Sequence, residues 1–154
     1  MPIASSPTSS PVYLDASALA KLYVPEPESS ALEALLVGRR DLIVSDLAVT
    51  EVASAMARRV RDRELPRREM AEAYRALVSD VADGGFLQTE LTGRVHREAE
   101  RLVMALGDRV PLRAADGLHL ALAALTGART LVTFDRRMAA AARMLGTFDL
   151  VGSP

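Results

Sequence analysis

Apolar residues along the chain fall into two kinds of run. Four are short and strand-like: "VYL" at 12–14, "LIV" at 42–44, "FLQ" at 86–88 and "TLVTF" at 130–134. Between them apolar positions recur at helical spacing, which predicts helices over 16–23, 29–37, 47–63, 67–82, 91–106, 113–126 and 136–145. Short strands alternating with longer helices predict an α/β fold with a mainly parallel sheet covered on both faces. Asp83-Gly84-Gly85 and Gly127-Ala128-Arg129 punctuate helix-to-strand returns, and Pro66 marks the start of the fourth helix. No internal repeat or interdomain linker interrupts the pattern, so 12–154 reads as a single domain. The Ser/Pro-rich "MPIASSPTSSP" at 1–11 reads as a disordered tail.

Three of the four strand candidates run directly into an aspartate: Asp15 after "VYL", Asp46 after "LIVS" and Asp135 after "TLVTF". Parallel strands gather such residues at one sheet edge, where open α/β sheets bind their ligands. Each aspartate is also a favoured helix N-cap. Asp46 reads as a cap, because Leu47 opens a clear helix and nothing else marks the position. For Asp135 the local pattern supports cap and ligand equally. The segment "LRAADGLHLALAALTG" is apolar almost all round and therefore predicts a buried helix, from which Asp116 and His119 project one turn apart. A buried ionised aspartate needs a partner, although the helix N-terminus can supply compensation. His119 reads as a packed, hydrogen-bonded histidine rather than a metal ligand. Glu51 points away from the apolar face formed by Val49, Val52, Ala53, Met56 and Val60, and spacing leaves open whether it faces water or a crevice.

Composition narrows the chemistry. The 154 residues contain no cysteine and two histidines, so a metal here must be held by oxygen or by those histidines, which favours a hard cation. Net charge is −1, without the overall basic footprint of many nucleic-acid binders. Arginine supplies every cation except Lys21. Local arginine runs such as 58–63 read mainly as solvated helix faces. No apolar stretch is long enough to span a bilayer, and no signal-peptide pattern opens the chain, which is compatible with a cytoplasmic protein.

Four motifs, in order along almost the whole chain, resemble the PIN-domain ribonucleases and most closely the VapC-like toxins of bacterial toxin–antitoxin pairs. They are "YLDASALAKLYVPE" with Asp15 and Ser17, "VSDLAVTEVASAMARR" with Glu51, "LRAADGLHLALAA" with Asp116, and "LVTFDRRMAAAARMLG" with Thr133 and Asp135. The resemblance implies a three-layer α/β/α sandwich in which Asp15, Glu51, Asp116 and Asp135 form a catalytic, metal-binding acidic quartet for Mg²⁺ or Mn²⁺. It implies RNA as substrate, a cognate antitoxin, a homodimer, and orienting roles for Ser17 and Thr133. Gly117 stands where a larger residue often follows the third acid, and is expected to loosen that helix start.

Other classes fit less well. Aspartyl-phosphate phosphatases want a second aspartate two residues after the first, where this chain has Ser17, and receiver domains want an acidic pair beside the first strand. A housekeeping nuclease without an antitoxin and a non-catalytic binding scaffold remain as alternatives. A scaffold, however, has no need to gather mutually repelling acids.

Overall fold

The computed structural model describes residues 10–152. The part of the expected tail up to residue 9 lies outside them. Its last two residues are tied to the domain: Arg39 donates to the Ser10 carbonyl and the Arg129 amide donates to the Pro11 carbonyl.

Five strands, β1 (Val12–Leu14), β2 (Leu42–Ser45), β3 (Leu87–Thr89), β4 (Thr130–Thr133) and β5 (Asp149–Gly152), form one sheet in the order β3-β2-β1-β4-β5. Every pairing is parallel. Seven helices connect them: α1 (Ala16–Lys21), α2 (Ser29–Leu36), α3 (Asp46–Arg61), α4 (Arg67–Ala82), α5 (Gly93–Leu106), α6 (Ala114–Leu125) and α7 (Arg136–Leu145). The expected α/β/α sandwich is therefore present.

Alternation along the strands separates two cores. Tyr13, Ile43 and Leu131 face one side and pack with α5, α6 and α7. Val12, Leu14, Leu42, Val44 and Val132 face the other and pack with α1, α2, α3 and α4. The central strands are apolar on both faces, as sheets covered on both sides require. Chain order runs outward from β1 in both directions, toward β2 and β3 on one side and β4 and β5 on the other. β1 is thus the point of reversal, beside which a ligand crevice opens beyond the carboxyl strand ends.

Two expectations need correction. β5 was absent from the predicted elements: "DLVG" is short and partly exposed, and becomes a strand by pairing with the open edge of β4, Leu131 opposite Leu150. Gly117 does not loosen α6. It is buried in the first turns of the helix, and a β-carbon there would lie 2.5 Å from Val103 Cγ2 and 3.4 Å from the Ala99 carbonyl. Glycine at this position lets α6 approach α5.

This contact predicts that Gly117→Ala destabilises the fold by about 1 kcal/mol. Overpacking, roughly 1–3 kcal/mol, outweighs the helix preference of alanine, which is about 1 kcal/mol. Val103→Ala should remove the clash, so denaturant melts of the double variant should show it more stable than Val103→Ala alone. Additive effects of the two substitutions would contradict the close-approach explanation.

Among the described residues no helix is long and apolar enough to cross a membrane.

Candidate active site

Beyond the carboxyl ends of β1 and β4 lies a crevice of about 510 Å³ lined by Asp15, Glu51, Asp116 and Asp135. These acids come from different layers. Asp15 and Asp135 follow sheet strands, Glu51 projects from α3 on one face, and Asp116 sits in the first turn of α6 on the other. Ser17 and His119 also border the crevice, while Asp46 is not among its lining residues.

Asp15 is almost fully buried and is held by three donors. Its Oδ1 accepts from Ser17 Oγ at 2.7 Å and from the Ala18 amide at 2.9 Å, and its Oδ2 accepts from Thr133 Oγ1 at 2.6 Å. The two hydroxyls have no choice of direction. Ser17 Oγ already accepts from the Phe134 amide and Thr133 Oγ1 from the Asp135 amide, so their own protons point at Asp15. Burial nevertheless raises the Asp15 carboxyl above the ordinary carboxylate range, and the hydrogen bonds from Thr133 and Ser17 offset only part of that effect. A buried carboxylate with this environment is stabilised by a nearby cation.

An aspartate that caps a helix can also line the crevice, because a carboxylate has two oxygens. Asp135 caps α7 through Oδ1, which accepts from the Arg137 and Met138 amides, while Oδ2 meets Arg137 Nη2 at 3.3 Å. Asp116 Oδ2 accepts from the Arg113 amide at 2.8 Å. Glu51 Oε2 lies 2.7 Å from His119 Nε2. Glu51 Oε1 and Asp116 Oδ1 take no hydrogen bond from the described residues. Asp15, Asp116 and Asp135 are thus anchored by backbone amides at their own helix starts and Glu51 by His119, and all four line the crevice.

Asp46 departs from its sequence reading. Ser45 is the N-cap of α3, its hydroxyl accepting from the Ala48 amide. Asp46 occupies the first helical position and accepts from the Leu91 amide, tying α3 to the segment after β3. His119 is the packed, hydrogen-bonded histidine expected, with Nδ1 2.8 Å from the Tyr13 hydroxyl. Burial pushes that hydroxyl far above the usual tyrosine range, so it stays protonated.

Cations line the crevice that the sequence did not single out as site residues. Arg137 stands between two acids, Nη2 at 3.3 Å from Asp135 and Nε at 3.8 Å from Asp116 Oδ2. Its Nε is buried without a hydrogen-bond partner. Lys21 donates to Glu26 and Glu28 and lies 4.7 Å above the Phe134 ring. The exposed side chains of Arg58 and Arg113 also border the crevice. Position offered one signal for Arg137, since it follows Asp135 by two residues at a helix start. Lys21 was marked only as the single lysine.

Among the described residues no three acidic or histidine side chains stand close enough to make a ready-made cation cage. In donor chemistry the lining still fits a hard cation: besides Glu26, which is paired with Lys21 and Arg59, it holds four carboxylates, one of them almost fully buried, with a loosely held guanidinium between two others.

A family model described as "PIN domain" matches residues 12–144. Ribonuclease VapC45 of Mycobacterium tuberculosis is 37% identical over 139 residues, covering 88% of this chain and 91% of that protein. The crystal structure of M. tuberculosis VapC20, described as a Sarcin-Ricin loop cleaving toxin, matches with a TM-score of 0.66 at 17% identity, over 84% of this chain and 94% of that one. A toxin–antitoxin complex from Klebsiella pneumoniae matches with a TM-score of 0.54 at 18% identity, over 83% and 90%. The match to the family model spans the sheet from β1 to β4 and the helices up to the penultimate residue of α7, and with them Asp15, Glu51, Asp116 and Asp135: the chain belongs to the PIN-domain family.

Proposed function

We propose that this protein is an endoribonuclease acting as the toxin of a toxin–antitoxin pair, that it works at the acidic crevice, and that Mg²⁺ or Mn²⁺ is its cofactor. One observation carries the reading: Asp15, Glu51, Asp116 and Asp135, far apart in sequence and drawn from three layers, line one crevice. The relatives support it, since VapC45 is named a ribonuclease and VapC20 a loop-cleaving toxin.

The four acids would hold the cation, with Ser17 and Thr133 keeping Asp15 in place through their donated protons. When bound, the cation supplies Lewis-acid stabilisation of the charge that builds on the phosphodiester. The chain's own residues do the rest. Arg137 offsets part of the charge of Asp116 and Asp135, which limits repulsion among the acids. Arg58 and Arg113, exposed and bordering the crevice, suit contacts with RNA phosphates. Aromatic residues make up only 4% of the chain, so recognition rests on phosphates and RNA shape rather than base stacking. The antitoxin partner is supported by the Klebsiella complex of the same fold. A homodimer follows from the family resemblance.

Purified protein incubated with total cellular RNA is expected to cleave it in Mg²⁺ or Mn²⁺ and to stop on addition of EDTA. Activity should return when the cation is restored. Undiminished cleavage in excess chelator would exclude the cation-dependent mechanism.

A further inference from the structure

A chain of hydrogen bonds runs behind the crevice and ends on Glu51. Ser45 Oγ lies 2.9 Å from the Tyr13 hydroxyl, that hydroxyl lies 2.8 Å from His119 Nδ1, and His119 Nε2 lies 2.7 Å from Glu51 Oε2. Ser45, Tyr13 and His119 are all essentially inaccessible to water. The four residues come from β2, β1, α6 and α3, so the chain ties both helical layers to the sheet.

For a neutral imidazole, the acceptor-only carboxylate of Glu51 gives the chain a direction. Ser45 Oγ already accepts from the Ala48 amide, which leaves its own proton free for the Tyr13 oxygen. The Tyr13 proton then goes to His119 Nδ1, and the imidazole must carry its proton on Nε2, aimed at Glu51. The reverse tautomer would set an imidazole lone pair against a carboxylate oxygen at 2.7 Å. A cationic imidazole also presents Nε2–H to Glu51, so a donor faces this carboxylate in either charge state.

Glu51 is the acid that needs such support. Asp15, Asp116 and Asp135 are short side chains anchored by backbone amides, whereas among the described residues the only hydrogen bond to the Glu51 carboxylate comes from His119. Glutamate on an otherwise exposed helix face has several rotamers to lose on binding.

We propose that His119, held in one tautomer by Tyr13 and Ser45, is a positioning residue that fixes Glu51 in the crevice and thereby sets the affinity for the divalent cation. The proposal rests on the reading of Glu51 as a cation-binding acid. His119 does not itself ligate, because both ring nitrogens are engaged.

The test is Mn²⁺ binding to the full chain by calorimetry, with no RNA present. Glu51→Gln should weaken binding, which checks the underlying reading. His119→Ala should weaken it by roughly 10–100-fold, the usual cost of losing a partner that orients a ligand. His119→Gln, whose side-chain amide can still donate toward Glu51, should recover most of the loss, and Tyr13→Phe should fall between. Imidazole ¹⁵N shifts of the wild-type protein in metal-free buffer should report the Nε2–H form of His119, a readout that no variant's folding can obscure. If Glu51→Gln binds Mn²⁺ weakly while folded His119→Ala binds it like wild type, the relay is overturned and the acidic site survives. If Glu51→Gln binds like wild type, the role of Glu51 fails and the proposal with it. A neutral Nδ1–H tautomer overturns the relay irrespective of the binding data.

Discussion

Asp15→Asn is expected to lower RNA cleavage at saturating Mg²⁺ by roughly 10²–10³-fold, the range for losing one preorganised electrostatic contact to a transition state. The protein should remain folded. Asparagine keeps the volume, but all three groups facing Asp15 are donors, so its amide leaves one of them mispaired. Removing a buried charge works in the opposite direction, and each effect is on the order of 1–3 kcal/mol. Melting in metal-free buffer should therefore change little at neutral pH. Acidification separates the two contributions. Because burial raises the folded-state pKa of Asp15, its ionised form costs stability above that pKa, and the cost disappears as pH falls through it. Wild type should gain on Asp15→Asn between neutral pH and about 4, the ordinary carboxylate value. Paired melts in EDTA at several pH values measure this, and a gap moving in favour of the variant on acidification would contradict it. Asp116→Asn should lose activity similarly. Asp46→Asn is the control and should keep most of it, since Asp46 serves the start of α3 and the segment after β3.

Expression of the protein alone is expected to arrest growth, and co-expression with its cognate antitoxin to relieve the arrest. Physical grounds for this lie in the crevice. A guanidinium already sits between Asp116 and Asp135 in Arg137, at distances longer than an optimal charge-assisted hydrogen bond and with Nε unsatisfied. An arginine brought in by a partner could pair bidentately with one of these carboxylates and compete with a divalent cation for the same charge. Growth curves with wild type, with Asp15→Asn, and with and without the antitoxin make the comparison. The arrest should require both Asp15 and the absence of the partner. Wild-type protein that accumulates alone without slowing growth, yet cleaves RNA in the test tube, would mark a housekeeping nuclease.

Periodicity alone was enough for the architecture, because each of its signals is local. The runs at 12–14, 42–44 and 130–134 became β1, β2 and β4 within a residue, and α7 fell on the predicted span, bounded by Asp135 and by Gly146 in a left-handed conformation. β5 was invisible for the opposite reason. Four partly exposed residues carry no period of their own, and strand geometry came from the free edge of β4. Gly117 was misjudged similarly: helix propensity describes an isolated helix, whereas the nearest constraint was Val103 on α5.

For the site, sequence by itself located Asp15 and Asp135 at strand ends and placed Asp116 on a buried helix, because chain direction and side-chain period fix those positions. It left Glu51 undecided and named it only through family resemblance. Tertiary structure decided the rest. α3 and α6 lie on opposite faces of the sheet, so which of their polar residues meet across the β1 edge depends on helix placement. The Glu51–His119–Tyr13 chain joins residues separated by 68 and 106 positions, and Arg137 reaches back from α7 to Asp116 on α6. Such contacts have no sequence period to betray them, since they arise from packing the two helical layers against the sheet.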